Sequence, residues 1–129
     1  MGVTYKFKSN LFVMTLAGVC PMDELIDTFD RALVDSAFPE NARFLMDVSA
    51  SESLANRTVE ELRQVVDHFS ARAERMGNRC ALVAQSPVLF GMMRMAMVFS
   101  EMHGVNTSVF KSVDEAAEWL KRDLPTTGE

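Results

Sequence analysis

The sequence predicts an α/β domain: a mostly parallel sheet with one antiparallel strand at its start, helices packed on the sheet. Three observations predict it. Apolar residues first alternate with period two and later gather into short runs of strand length. Between those runs they recur every three or four residues, the period of a helix that buries one face. Most of the helical stretches open on a capping signal. Strands that alternate with helices need crossover connections, which run right-handed and lay the helices on a parallel sheet.

The elements follow in order. Val3, Tyr5 and Phe7 alternate with Thr4, Lys6 and Lys8, as in a half-buried strand. Ser9-Asn10 reads as a two-residue hairpin turn into a second strand, Leu11–Leu16. Met22, Leu25, Ile26, Phe29 and Leu33 form one stripe of a first helix. Pro21 suits its first turn, where no N–H is needed, and the helix dipole favours Asp23 and Glu24 there. Arg43–Val48 is a third strand, and a polar stretch runs from Ser49 to Arg57. Thr58 and Glu61 make a capping box for a second helix. Its Val59, Leu62, Val66, Phe69, Ala73 and Met76 lie three or four apart, up to a stop at Gly77-Asn78. Cys80–Ala84 is a fourth strand. Ser86 caps a third helix with Pro87 in its first turn, and Gly104 ends it. Val105–Phe110 is the last strand; Ser112 and Glu115 box a final helix that buries Val113, Ala116, Ala117 and Leu120. The order is β-β-α-β-α-β-α-β-α. Residues 1–124 read as one domain and the tail from Pro125 as loose.

Composition sets the class. The chain has 129 residues, 48% of them apolar, enough for one core without disulfide or metal staples. Charged residues make up 24%, with only 6 glycines and 4 prolines, which excludes collagenous and disordered readings. Thirteen basic residues face 18 acidic ones, a net charge of −5. The acidic surplus sits at Asp23, Glu24, Asp27, Asp30, Asp35 and Glu40, against Arg31 alone. Arg57, Arg63, Arg72, Arg75 and Arg79 gather further on, but Glu60, Glu61, Asp67 and Glu74 interleave with them. That pattern reads as a solvated helix surface and not as a phosphate track, so no nucleic acid is expected as partner.

Targeting signals fail on inspection. Leu11–Cys20 is an apolar run behind Lys6 and Lys8, and it ends like a lipoprotein box. Val19 is too large for that box, and Pro21 with an acidic helix follows at once. The run is also too short to span a bilayer and reads as a buried strand, so no stable membrane insertion is expected. The myristoylation pattern at Gly2 breaks at Lys6. Cys20 and Cys80 stand far apart, which suits a reducing cytoplasm. With His68 and His103 they form no paired ligand spacing, so neither metal nor cofactor is expected.

One stretch carries a resemblance. In Arg79 to Leu120 the strand RCALVAQS leads into LFGMMRMAMVFSE, then TSVF and SVDEAAEWL. Phe90-Gly91, Arg94-Met95 and Ala117-x-Trp119-Leu120 carry most of it. Together with the element order, this resembles the STAS domain of anti-sigma-factor antagonists, and more closely the SpoIIAA-like proteins grouped as STAS/SEC14-related. The resemblance implies a domain that binds proteins, nucleotides or lipids and is mostly not an enzyme. It also implies a phosphorylated serine at the start of the second helix. Here that stretch reads Ser51-Glu52-Ser53-Leu54-Ala55-Asn56-Arg57-Thr58, with no glycine after the serines.

The candidate residues follow. No G-x-S-x-G, P-loop or G-x-G-x-x-G occurs, and no catalytic residue is assigned. Cys20 at a helix start reads either as an activated thiol or as a buried small hydrophobe. Asp47, taken to end the third strand, stands where α/β folds place ligands, or bonds a neighbouring loop. An enzyme would have to use one of these two. Ser51, Ser53 and Thr58 lie between the third strand and the second helix, as candidates for a phosphoswitch. Gln85 and Ser86 end the fourth strand, either to hold an anion with the helix amides or as an ordinary cap.

The third helix stands apart, because between Val88 and Met102 only Arg94 and Glu101 carry charge. Val88, Leu89, Met92, Ala96 and Phe99 share a face that can pack on the sheet. Phe90, Met97 and Val98 then point outward around Arg94 and Glu101, either as an interface or under cover of a neighbouring element. The function expected is a non-enzymatic STAS-like interaction or regulatory module, with a protein partner or a homodimer. The alternative is a small carrier of a lipid or other apolar ligand.

Overall fold

Strand alternation decides the two faces of the sheet. In the computed structural model, which describes residues 2–122, β1 (Val3–Lys8) turns at Ser9-Asn10 into β2 (Leu11–Gly18). Then follow α1 (Met22–Leu33), β3 (Arg43–Ser51), a 3-10 turn at Leu54–Asn56 and α2 (Val59–Ser70). A second 3-10 turn (Ala73–Met76) leads to β4 (Arg79–Val83), α3 (Pro87–Glu101), β5 (Asn106–Phe110) and α4 (Val113–Lys121). The tail expected from Pro125 lies outside the described residues.

The five strands stand in the order β1-β2-β3-β4-β5, β1 antiparallel to β2 and the rest parallel. This is the architecture expected from the pattern. Register puts Phe7, Phe12, Phe44 and Cys80 in one row, and Tyr5, Met14, Met46 and Leu82 in the next. Right-handed crossovers that always step to the next strand place their helices on one face. Leu25 and Phe29 of α1, Leu62, Val65 and Val66 of α2, and Leu89, Met93 and Ala96 of α3 bury against those rows. Phe12 stacks on Phe44 at 4.9 Å and Phe29 on Phe69 at 4.2 Å. Burying each such ring is worth about 2–3 kcal/mol. The opposite face has a smaller core, in which Val13, Leu45, Ala81 and Val83 meet Ala116 and Leu120 of α4.

Polar contacts tie the helices. His68 Nε2 lies 2.7 Å from Asp30 Oδ1, joining α2 to α1, and His103 Nε2 lies 2.8 Å from Asp67 Oδ1. The α2 capping box is closed by Glu61 N–H to Thr58 Oγ1 (3.1 Å) and Thr58 N–H to Glu61 Oε1 (2.9 Å).

Several expectations are corrected. The third strand does not stop at Val48, because Ala50 and Ser51 pair with Ala17 and Gly18 of β2. The second helix does not run to Met76. The Arg72 guanidinium donates to the His68 carbonyl at 3.1 Å, while the Arg72 amide bonds Phe69, so the α-helical ladder ends there. Ala73 and Met76 reach the core from a separate turn. Val59 and Val113, expected on buried stripes, are 51% and 41% exposed, because each opens its helix at the exposed capping turn. Arg79 is no surface arginine. It begins β4 and is buried, with Nη1 donating to the Arg122 carbonyl (2.7 Å) and Nη2 to the Trp119 carbonyl (2.9 Å) at the end of α4. Its guanidinium lies 4.4 Å over the Trp119 ring.

Candidate functional site

In parallel sheets, ligand-binding groups gather beyond the C-terminal ends of the strands. Here β3 ends at Ser51 and leads into the Leu54–Asn56 turn, which packs on α3. The serines of this edge hold the backbone. Ser51 Oγ accepts the Leu54 N–H (3.2 Å), and Ser53 Oγ accepts the Cys20 N–H (3.0 Å). Arg57 Nη2 donates to the Cys20 carbonyl at 3.3 Å. Ser51, Ser53 and Cys20 are thus brought together at one corner. Both serines are half-buried there, while Thr58 lies exposed in its capping box.

The thiols are poor nucleophiles. Cys20 is buried and its S–H points at the Gly2 and Ala17 carbonyls, at 3.3 and 3.4 Å. Desolvation pushes this thiol up from the ordinary cysteine value, against the lowering effect of the Ala17 bond. Burial pushes the Cys80 thiol up to about 12. A thiolate is what attacks, so neither environment activates one.

Asp47 belongs elsewhere. Because β3 continues to Ser51, it sits inside the strand and not at its end. It pairs with Val83, whose side chain faces α4, so Asp47 lies on the sheet face away from α3. Its Oδ1 accepts the Ser49 N–H at 2.9 Å, which is the structural use of such an acid. Gln85 and Ser86 are exposed beyond β4, and Ser86 Oγ accepts the Leu89 N–H at 3.2 Å as an ordinary N-cap.

The α3 helix is rotated from its expected phase. Leu89, Met93, Ala96 and Ser100 are its buried residues, whereas Val88 is 60% exposed. A buried hydroxyl pair, Ser100 Oγ to Thr107 Oγ1 at 2.7 Å, turns Ser100 inward onto β5. Phe90 and Met97 are half-buried, not outward. Phe90 packs on the main core with the Lys111 ammonium 5.7 Å over its ring. The face that does point outward carries Val88, Gly91, Arg94, Met95, Val98, Glu101 and Met102. Sequence reasoning placed Arg94 and Val98 there but missed Met95 and Met102; their spacing from Val98, three and four residues, was the available signal.

The void under the helices is small. Between the sheet, α2 and α3, lined by Leu62, Phe69, Leu82, Met93 and Ala96 among others, it has a volume of about 50 Å³. Among the described residues no helix is long and apolar enough to cross a membrane, and no three metal-ligating side chains gather.

No family model and no curated protein matches the chain. Among solved structures it is similar to an uncharacterised protein of the DUF3478 family with a SpoIIAA-like fold, from Shewanella loihica PV-4. The TM-score is 0.58 at 15% identity, over 92% of this chain and 91% of that one. The fold is SpoIIAA-like, the architecture that the element order pointed to.

Proposed function

We propose that the chain is a binding module of the STAS type, one that works in the reducing cytoplasm by docking a protein partner and performs no chemistry of its own. The observation that carries this reading is the outward face of α3. Val88, Met95, Val98 and Met102 expose 60%, 38%, 51% and 77% of their surface on one side of one helix. Apolar side chains aligned in this way mark interaction surfaces more often than single exposed residues do. Methionine adapts its shape to a partner. The raised thiols and the engaged Asp47 carboxylate support the absence of chemistry.

The carrier alternative needs an open apolar cavity. A cavity known to bind benzene measures about 150 Å³, three times the void found here, and an acyl chain needs more. The docking module is therefore the better supported reading. A photoreactive side chain at position 98, in protein expressed in its native host, tests it. The expected result is a protein adduct that the same group at exposed Asn56 does not give. Native mass spectrometry of the purified protein tests the alternative. A co-purified lipid without any protein adduct would overturn the docking reading in favour of the carrier.

A further inference from the structure

The outward face of α3 is complementary to itself. We infer that its partner is a second copy of this chain, the two α3 helices lying antiparallel about a twofold axis; the inference rests on the reading of that face as a docking surface. Val88, Gly91, Met95, Val98 and Met102 follow one another by three, four, three and four residues, the seam spacing of paired helices. Arg94 and Glu101 flank this seam on the same side, seven residues apart. Both are exposed, and among the described residues neither side chain has a partner within the chain.

That flank decides the direction. In a parallel pair one flank meets the opposite flank of its neighbour, and Arg94 and Glu101 would face the side of Met92 and Phe99. In an antiparallel pair each flank meets its own kind, so Arg94 meets Glu101 of the second copy, twice by symmetry. The register that aligns these charges also sets Met95 against Val98, and Gly91 against Met102, the most exposed methionine among the described residues.

Gly91 supports the same register independently. A methyl group added there would meet nothing within 4 Å, so the monomer has no steric need for glycine in mid-helix. Glycine weakens a helix relative to alanine. A partner methionine entering the gap supplies a reason for it. The helix has 15 residues, so the contact strip is short and smaller than a standard stable interface. A concentration-dependent dimer with a dissociation constant on the order of 100 µM is expected.

Sedimentation of the purified protein from about 10 µM to about 1 mM tests this, a range that brackets such an affinity. The wild type is expected to pass from monomer to dimer. Arg94→Glu and Glu101→Arg should each weaken the dimer at least about tenfold, since each turns two attractions into repulsions. The double variant should return within about threefold of the wild type, a rescue that no loss of folding produces. Gly91→Leu should abolish the dimer without lowering the melting temperature measured at about 10 µM, where the wild type is monomeric. A wild type that stays monomeric throughout, or a double swap no better than the single variants, overturns the inference. If that monomer still forms an adduct with another protein from position 98, the docking reading stands and only the self-pairing falls.

Discussion

Replacing Arg79 by methionine isolates the latch between β4 and α4. Methionine keeps an apolar stem of similar length and removes the guanidinium. Two charge-assisted bonds disappear, to the Arg122 carbonyl at 2.7 Å and the Trp119 carbonyl at 2.9 Å. Each is worth about 1.5–3 kcal/mol. The Trp119 carbonyl keeps the Arg122 N–H at 3.3 Å, so one of the two losses is partial. Removing a 4%-exposed cation also recovers part of its desolvation cost. The net loss comes to about 2–3 kcal/mol. At roughly 4 °C per kcal/mol for a domain of this size, the melting temperature should fall by about 10 °C. Thermal unfolding followed by circular dichroism measures the shift, and hydrogen exchange should show the loss concentrated in α4. Arg79→Lys, with one ammonium for two acceptors, should recover no more than about half. A methionine variant melting within about 2 °C of the wild type would refute the idea that this arginine holds α4.

Three other outcomes are expected. Gly2→Ala would put a methyl group 2.4 Å from the Val19 carbonyl and 2.7 Å from that of Ala17, so denaturant unfolding should show a loss of about 1–3 kcal/mol; unchanged stability would mean that β1 does not enter the fold so closely. The Tyr5 hydroxyl donates to Asp35 Oδ2 at 2.6 Å, holding the Asp35 carboxyl below its usual range and Tyr5 above its own. The Asp35 contribution is present above the unfolded carboxylate value, ~3.9, and is lost as pH falls through the lower folded one; the Tyr5 contribution is present below ~10 and is lost as pH rises through its higher folded value. The stability difference between wild type and Tyr5→Phe should therefore be a plateau that shrinks at both ends, and a difference flat from about pH 3 to about pH 11 would contradict it. Finally, Cys20 and Cys80 should resist a thiol reagent at mild alkaline pH and titrate only in denaturant, since burial pushes both thiols up; rapid labelling of either in the native protein would reopen a catalytic role.

The fold was legible because its signals are local and repeated. Period-two alternation, the Thr58–Glu61 box and the Ser86-Pro87 start each state one element on their own. The end of β3 was hidden because its last residues, Ala50 and Ser51, pair with β2 beyond a register shift, in a stretch whose polar composition reads as a loop. Arg79 was hidden because a buried arginine that caps a distant helix looks the same in sequence as one facing water. The candidate site was legible only in part. Almost every position of α3 is apolar, so hydropathy hardly fixes which side is buried. The Ser100–Thr107 hydroxyl pair fixes it, and that contact belongs to the tertiary structure.

The strand order also bears on how the chain is made. Each strand hydrogen-bonds to the one before it, so the sheet can extend as residues leave the ribosome, every step closing only a short loop. The second core breaks this rule. Val13, Leu45 and Ala81 wait for α4, the last described helix, which returns across the sheet to cover them. A nascent chain that has finished β5 therefore already has its three-helix layer and still shows a bare apolar face on the other side. During that interval the half-made protein is most open to chaperones and to aggregation, and the closing of Arg79 on α4 ends it.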